Sequence, residues 1–157
     1  MEAVRDGAGV RFPPPLIYLA GLALGIFAGR QLNLAGIGLG TTGRELLGGA
    51  LALLGVIIMF AGAGLLVRRK TAVIPFKPAT CLVTGGIYKF TRNPMYLGMA
   101  LAYAALAILF DSIAALILLP LVLATIQTQV IAREEAYLSR RFGDDYVAYK
   151  RGVRRWI

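Results

Sequence analysis

The sequence predicts an all-α fold, a polytopic membrane bundle of about four transmembrane helices with a cytoplasmic loop and a C-terminal amphipathic helix. Of its 157 residues, 58% are hydrophobic and 16% are charged, and the mean hydropathy is +0.71, which is typical of membrane proteins. The apolar residues gather in runs close to the roughly 20 residues that cross a bilayer. Two of these runs are separated by only two polar residues, which requires an antiparallel helical hairpin.

Four spans are predicted within a single membrane domain, residues 1–157. The first follows three prolines and is rich in glycine and alanine, so it is suited to close packing against another helix. Pro120 lies inside the fourth span, where we expect a kink. The predicted spans cover residues 14–30, 45–67, 94–110 and 112–131.

The connections between the spans have different characters. The stretch "TAVIPFKPATCLVTGG" contains two prolines and two adjacent glycines, which predicts an interfacial loop long enough to fold over a site. Asp111 and Ser112 form the short polar turn between the third and fourth spans, and a serine there is suited to capping the next helix. Beyond the fourth span, Ile131, Leu138 and Phe142 form the apolar side of an amphipathic helix that we expect to end at Gly143.

The basic residues are distributed unevenly. Two precede the first span (Arg5 and Arg11), six lie between residues 68 and 92, and seven follow residue 132, whereas only Arg30 and Arg44 lie in the other connections. The positive-inside bias therefore predicts an integral membrane protein, of the inner or cytoplasmic membrane if bacterial, with both termini cytoplasmic. A topology signal beside anionic headgroups explains the net charge of +9 better than nucleic-acid binding does.

Some chemistries are excluded by composition. The chain has one cysteine, Cys81, and no histidine, so neither an internal disulfide nor a cysteine metal cluster can form, and no imidazole is present as a base or ligand. We therefore expect no metal site.

The stretch "GGIYKFTRNPMYLGMALAY" carries the first group of candidate site residues. Arg92 can pair with a carboxylate, Asn93 can donate and accept hydrogen bonds, and Pro94 suits the first position of a helix whose N-terminus attracts anions. Gly98 leaves room beside the backbone. An alternative is that Arg92 reaches lipid headgroups, Tyr96 is an interfacial anchor and Gly98 is a packing notch.

Glu134 and Glu135 form the second group. Seven residues earlier on a regular helix, Gln127 precedes Glu134 and Thr128 precedes Glu135, so the two carboxylates point in different directions and one can face the bundle. A carboxylate at that depth suits a cation, an amino group or ribose hydroxyls. The alternative is a solvated pair offset by neighbouring arginines. The tail "FGDDYVAYKRGVRRW", which contains Tyr146 and Tyr149, suits either interface anchoring or ligand contact.

Taken together, these motifs resemble the superfamily of isoprenylcysteine carboxyl methyltransferases and phospholipid methyltransferases. The resemblance rests on "PFKPATCLVTGGIYKFTRNPMYLG", the following helical hairpin and "REEAYLSRRFGDDYVAYKRGVRRWI", and covers residues 70–157. It implies that S-adenosyl-L-methionine binds at the cytoplasmic end of the last helices, enclosed by the loop and the tail. It also implies a lipid or small hydrophobic methyl acceptor among the membrane lipids.

The resemblance also implies roles for particular residues. We expect Arg92, Glu134 and Glu135 to be catalytic. Asparagine at position 93 replaces a histidine common in eukaryotic members, so it can hydrogen-bond but not titrate near neutral pH. The expected cofactor-binding residues are Arg92, Asn93, Pro94, Tyr96, Gly98, Glu134, Glu135, Tyr146 and Tyr149.

Alternatives remain at this stage. Membrane sterol reductases, which use NADPH, look like distant relatives of the same fold, and the basic run 68–70 is a candidate site for the 2'-phosphate of NADPH. A non-catalytic membrane scaffold is a third hypothesis. Within the methyltransferase hypothesis, the acceptor group can be a carboxylate, an amine or a thiol. The glycines of the second span can pack within one bundle or between two copies, so a homo-oligomer is also possible.

Overall fold

A computed structural model describes residues 7–157, and Arg5 of the predicted charge bias lies outside them. Residues 7–157 contain α-helices, one short 3₁₀-helix and one π-helical turn, with no strand. The α-helices are α1 (Pro14–Gln31), α2 (Thr41–Arg68), α3 (Pro94–Leu109), α4 (Ile113–Ile126) and α5 (Ala132–Gly152). The 3₁₀-helix is Gly86–Lys89 and the π turn is Gln127–Ile131. The all-α prediction is confirmed.

Two helical stretches are long and apolar enough to cross a membrane. They are Thr41–Arg68 and the continuous run Ile113–Gly152, while Pro94–Leu109 is apolar but shorter. Large apolar side chains remain exposed along these helices, among them Leu53, Phe60 and Leu121. An extensive exposed apolar surface of this kind suits contact with lipid.

Glycines set the packing of α2 against α3. Gly48, Gly55 and Gly62 recur every seven residues on α2 and are buried. A β-carbon on Gly55 would lie 2.7 Å from the carbonyl oxygen of Gly98, and one on Gly62 would lie 2.9 Å from Cγ of Pro94. The two helix backbones are therefore in direct contact, and these glycines pack within the bundle.

The glycines of α1 serve the same purpose against α4. A β-carbon on Gly25 would lie 2.5 Å from Cα of Ala115, which confirms the close packing predicted for this segment. Hydrogen bonds connect both of these helices to α3: the Tyr18 hydroxyl of α1 donates to the carbonyl oxygen of Tyr96 over 3.0 Å, and the Tyr103 hydroxyl of α3 donates to that of Ala115 in α4 over 2.9 Å. Because α3 is tied both to α1 and to α2, its N-terminus has a fixed position.

The turn between α3 and α4 has the predicted form. Asp111 has a positive φ of 54°, and Ser112 caps α4 by accepting a hydrogen bond from the amide of Ala115 over 3.3 Å. The Asp111 carboxylate also pairs with Arg44 at 2.8 Å. A hairpin therefore joins α3 and α4, as the two polar residues predicted.

Two irregularities shape the last helical stretch. Pro120 lies inside α4, and the change of hydrogen-bonding pattern comes later, in the π turn Gln127–Ile131. Gly143 has φ 54° and ψ −129°, which breaks the helical backbone where a stop was predicted. The helix nevertheless resumes and continues to Gly152, which returns the chain end toward the start of α3.

Candidate functional site

One cavity lies where the ends of four segments meet. Its walls come from the end of α2, the loop 71–83, the start of α3 and both parts of α5. Most of the residues expected to bind a cofactor line it, namely Arg92, Asn93, Pro94, Tyr96, Glu134, Glu135, Tyr146 and Tyr149. Sequence reasoning therefore selected residues that the fold brings together from positions more than 50 residues apart.

Arg92 is the main cation of this cavity. Its side chain is 10% exposed, and Nη1 lies 3.2 Å from Oε1 of Glu135. Within the described chain, however, Nε and Nη1 have no hydrogen-bond partner, because the contact with Glu135 is close but misaligned. A buried donor without an acceptor costs about 1–3 kcal/mol. The guanidinium is therefore prepared to receive another acceptor group.

Glu134 forms the acidic side of the cavity. Its Oε1 accepts a hydrogen bond from the Tyr96 hydroxyl over 2.8 Å, and it lies beyond the apolar segment, in the charged part of α5. Burial, together with the charge of Glu135 and against the hydrogen bond from Tyr96, raises the pKa of Glu134 to about 7. This carboxyl group therefore changes charge near neutral pH.

Glu135 has a different environment, although it is the adjacent residue. Arg155 donates from Nε to Oε1 over 2.8 Å and from Nη2 to Oε2 over 2.7 Å, and Lys150 Nζ lies 4.0 Å from Oε2. Burial by itself would raise the pKa of Glu135, but the hydrogen bonds from Arg155 and the charges of Arg92, Arg155 and Lys150 lower it below its ordinary value. Glu135 is thus a permanent carboxylate that anchors cations of the chain.

The tail after α5 docks on the turn before α3. The amide of Arg92 donates to the carbonyl oxygen of Arg154 over 3.0 Å. The carbonyl oxygen of Arg155 accepts from the Thr91 hydroxyl at 3.2 Å and from Nδ2 of Asn93 at 2.9 Å. These bonds use backbone atoms of the tail, so the side chain of Arg155 remains free to reach Glu135.

Trp156 makes the last contact of the tail. Its indole Nε1 donates to Oε1 of Gln127 over 3.0 Å. Gln127 is the first residue of the π turn, a feature that often accompanies functional sites because it redirects side chains. The end of the chain is therefore attached to both the start of α3 and the junction between α4 and α5.

Aromatic rings complete the wall on the tail side. Tyr146 is 2% exposed, and burial raises its pKa to about 12, so it is neutral at physiological pH. The Tyr149 hydroxyl donates to the carbonyl oxygen of Tyr88 over 2.7 Å, and the rings of Tyr146 and Tyr149 lie 6.1 Å apart. Such rings offer faces that attract cations.

The loop 71–83 covers the cavity in a fixed conformation. The hydroxyl of Thr71 accepts from the amide of Thr80 over 3.0 Å and donates to the carbonyl oxygen of Cys81 over 3.4 Å. The Tyr137 hydroxyl accepts from the amide of Ala79 over 3.0 Å, which ties the loop to α5. The predicted loop therefore covers this cavity.

The N-terminal segment packs on the same loop. The amide of Ala8 donates to the carbonyl oxygen of Pro75 over 3.3 Å, and Nη1 of Arg133 donates to that of Gly9 over 3.1 Å. Ala8 also lines the cavity. The segment preceding α1 therefore contributes to the same enclosure, a role that nothing in its sequence indicates.

The structure assigns Gly98 a different position from that expected of a ligand-binding residue. It is buried against α2, and a β-carbon there would lie 2.5 Å from the carbonyl oxygen of Gly55. It does not line the cavity. Its position matches the packing notch that the sequence left open as the alternative.

Three contributors were missed by sequence reasoning. Arg155 binds Glu135, Tyr88 lines the wall and accepts from Tyr149, and Tyr137 holds the loop. A signal existed only for the tyrosines, which belong to the aromatic stretches flanking the candidate residues. Arg155 is one of several tail arginines, and only the return of the chain distinguishes it.

Two kinds of comparison place the chain among known proteins. A family model described as phospholipid methyltransferase matches residues 44–145. The chain is similar to the protein-S-isoprenylcysteine O-methyltransferase of Schizosaccharomyces pombe, with 39% identity over 72 residues, or 46% of this chain and 30% of that enzyme. It is also similar to an uncharacterized protein of Haemophilus influenzae, with 45% identity over 64 residues, or 40% of this chain and all of that protein.

The extent of these matches differs. The aligned part spans less than a third of the length of the Schizosaccharomyces pombe enzyme, whereas the family model covers well over half of this chain. No solved structure matches the chain.

Proposed function

The chain belongs to the phospholipid methyltransferase family, a family of membrane methyltransferases, and from this premise we propose that it transfers a methyl group from S-adenosyl-L-methionine to a lipid-like or small hydrophobic acceptor. The observation that carries the proposal is the cavity in which Arg92 presents two buried N–H groups without acceptors beside the carboxyl group of Glu134. Oppositely charged groups in one enclosed space suit a zwitterionic ligand.

The donor's functional groups fit the residues present. Its amino-acid part carries a carboxylate, for which an N–H group of Arg92 at Nε or Nη1 is a suited donor, and an ammonium group, for which Glu134 is a suited acceptor. Ribose hydroxyls are a second use for Glu134. The rings of Tyr146 and Tyr149 suit a sulfonium through cation–π attraction.

The remaining expected cofactor residues support the site indirectly. Asn93 donates to the tail, Pro94 begins α3 and Tyr96 donates to Glu134. Glu135 is hydrogen-bonded to Arg155. We therefore propose that it binds cationic side chains of the protein and not the ammonium group of the donor. The loop, the tail and α5 would then close the donor site, within a region of about 70–157 of a single membrane domain.

The chemical demand on the protein depends on the acceptor. When bound, S-adenosyl-L-methionine supplies an activated methyl group on a sulfonium. For a carboxylate or thiolate acceptor the residues need only orient the reactants and exclude water, which contributes up to roughly 7–11 kcal/mol in favourable cases. An amine acceptor must first lose a proton, and Glu134, with a pKa of about 7, is suited to accept it.

The site lies at the boundary where both reactants are accessible. The cavity lies at helix ends next to the basic segments, and the same helices carry exposed apolar side chains. We propose four membrane spans with both termini and this cavity on the cytoplasmic side, because that arrangement follows the distribution of Lys and Arg. A soluble donor then reaches the cavity from the cytoplasm and the acceptor from the lipid.

Thermal unfolding of the purified protein in detergent tests the proposal. A ligand at about 100 times its Kd adds about 2.7 kcal/mol of stability, so S-adenosyl-L-methionine and S-adenosylhomocysteine should both raise the Tm while NADPH should not. Stabilisation by NADPH alone would favour the reductase hypothesis. Absence of any shift with folded protein would favour a non-catalytic scaffold.

A further inference from the structure

We infer that Arg155 is a positioning residue: by occupying both carboxylate oxygens of Glu135, it leaves the N–H groups of Arg92 at Nε and Nη1 without an aligned acceptor, so that one of them is available for the carboxylate of the methyl donor. The inference rests on the proposed function and adds to it a residue beyond positions 44–145, which match the family model. Arg155 itself does not line the cavity. Its influence on the ligand would pass through Glu135 and Arg92.

Arg155 and Arg92 approach the same carboxylate of Glu135 with different geometry. A carboxylate and a guanidinium pair best through two parallel hydrogen bonds, and Arg155 forms both, at 2.8 Å and 2.7 Å. Arg92 approaches Oε1 of the same carboxylate to 3.2 Å without forming a hydrogen bond. Arg155 is therefore aligned for hydrogen bonding to Glu135, whereas Arg92 is near the same carboxylate but is not aligned with it.

Without the side chain of Arg155, Arg92 would be the nearest arginine to Glu135. Its guanidinium is buried and has unsatisfied donors, while Glu135 would have lost its aligned partner. The two groups already form an ion pair at 3.2 Å, so little movement would align a hydrogen bond between them. An aligned Arg92–Glu135 hydrogen bond would occupy an N–H group that is otherwise available to the proposed donor carboxylate.

Arg155 is not simply the attachment of the tail. The tail docks through the carbonyl oxygens of Arg154 and Arg155 and through the indole of Trp156. Truncation of the Arg155 side chain leaves those atoms in place. Lys150 is not an adequate substitute, because its single ammonium lies 4.0 Å from Oε2 and cannot form the fork.

The test compares two ligands that differ only in the carboxylate. Calorimetric Kd values are measured for S-adenosylhomocysteine and for its decarboxylated form, with wild type, Arg155→Ala and Arg155→Lys. We expect Arg155→Ala to weaken S-adenosylhomocysteine about tenfold, the loss of one charge-assisted interaction, and the decarboxylated form less than about threefold. Arg155→Lys should show an intermediate loss that is again confined to S-adenosylhomocysteine.

Trp156→Phe is the matched control. It removes a tail contact without touching Glu135, so it should change the affinity for both ligands by the same factor. Equal losses for the two ligands in Arg155→Ala would instead assign Arg155 to tail structure and overturn the inference. An unchanged affinity for both would overturn it as well.

Two further outcomes separate the inference from the proposed function. If wild type binds neither ligand, the proposed function fails, and the inference fails with it. If Arg155→Ala does not fold, as judged by its thermal unfolding without ligand, Arg155→Lys decides: a changed ratio of the two affinities supports the inference, and an unchanged ratio overturns it.

Discussion

The hydroxyl of Tyr96 donates to Oε1 of Glu134 over 2.8 Å, joining the first turn of α3 to the first turn of α5 across 38 residues of sequence. The backbone of Tyr96 is held in turn by the Tyr18 hydroxyl. A carboxyl group at the cavity wall is therefore positioned by α1 and α3 together. Burial raises the pKa of Glu134 in spite of this bond, whereas, against the effect of burial, Arg155 and the neighbouring cations lower the pKa of Glu135, so the two adjacent carboxyl groups titrate differently.

Affinity for S-adenosylhomocysteine should rise with pH through about 7. Ionised Glu134 is the form that holds an ammonium group, and its pKa is about 7, whereas Glu135 has a lowered pKa and stays ionised over the same range. Lowering the pH from 8 to 6 should weaken binding about tenfold, the change in the ionised fraction. Titration calorimetry at several pH values measures this.

Glu134→Gln is the control for that titration. The variant should bind more weakly at pH 8 and lose the dependence on pH. The stability of the ligand-free protein has the opposite sign: because the folded-state pKa lies above the ordinary one, stability due to this group falls as pH rises from about 4.5 to about 7. A pH profile of Tm that is identical in wild type and Glu134→Gln would contradict the assignment.

Replacement of Arg92 by alanine should weaken S-adenosylhomocysteine by about 10- to 100-fold, because hydrogen bonds to a charged group contribute about 1.5–3 kcal/mol. The unfolding temperature without ligand should change little in comparison, because two of the Arg92 nitrogen atoms form no hydrogen bond in the described chain. Arg140→Ala, an exposed arginine on α5, is the matched control. Equal binding by both variants would remove Arg92 from the donor site.

Gly55→Ala should destabilise the protein by about 1–3 kcal/mol through overpacking. The added β-carbon would lie 2.7 Å from the carbonyl oxygen of Gly98, so the backbones of α2 and α3 must separate. Gly49→Ala, on the open side of the same helix, should be neutral or slightly stabilising because alanine favours helix. Thermal unfolding in detergent measures both, and equal stability of the two variants would argue against glycine-mediated contact.

The single native cysteine allows a direct test of orientation. In sealed vesicles of known sidedness, a membrane-impermeant maleimide should label Cys81 only when the cytoplasmic face is accessible, because the basic segments lie on that side. Cys81→Ser combined with Leu39→Cys moves the label to the connection between α1 and α2 and should reverse the result. Labelling of both positions from the same side would contradict the proposed topology.

The sequence was most informative where local rules determine the outcome. Apolar runs and punctuating residues placed the helices within a few residues, Ser112 is the predicted cap, and Gly143, predicted as a helix end, interrupts the helical backbone without ending the helix. These features depend on neighbours in the chain, which a sequence displays directly. The role of Gly98 was not decided in this way, because room beside a glycine can be filled by a ligand or by another helix.

The position of the C-terminal tail could not be predicted from local sequence patterns. The return of Arg155 to Glu135 depends on the local backbone break at Gly143 and also on tertiary hydrogen bonds of the tail to Thr91 and Asn93, which the sequence does not display. The orientation of the two glutamates was likewise extrapolated along a regular helix from Gln127 and Thr128. An intervening π turn changes that relationship, and both glutamates line the cavity.

The π turn between α4 and α5 changes the direction in which side chains of α5 point relative to those of α4. An α-helix advances about 100° per residue, so the one additional residue of a π turn offsets every position after it relative to those before. The membrane-facing stripe of α4 and the cavity-facing stripe of α5 therefore need not share one angular register. Removal of a single residue from 127–131 would couple them again, and would rotate Glu134 and Glu135 away from Arg92 while leaving the composition of both helices unaltered.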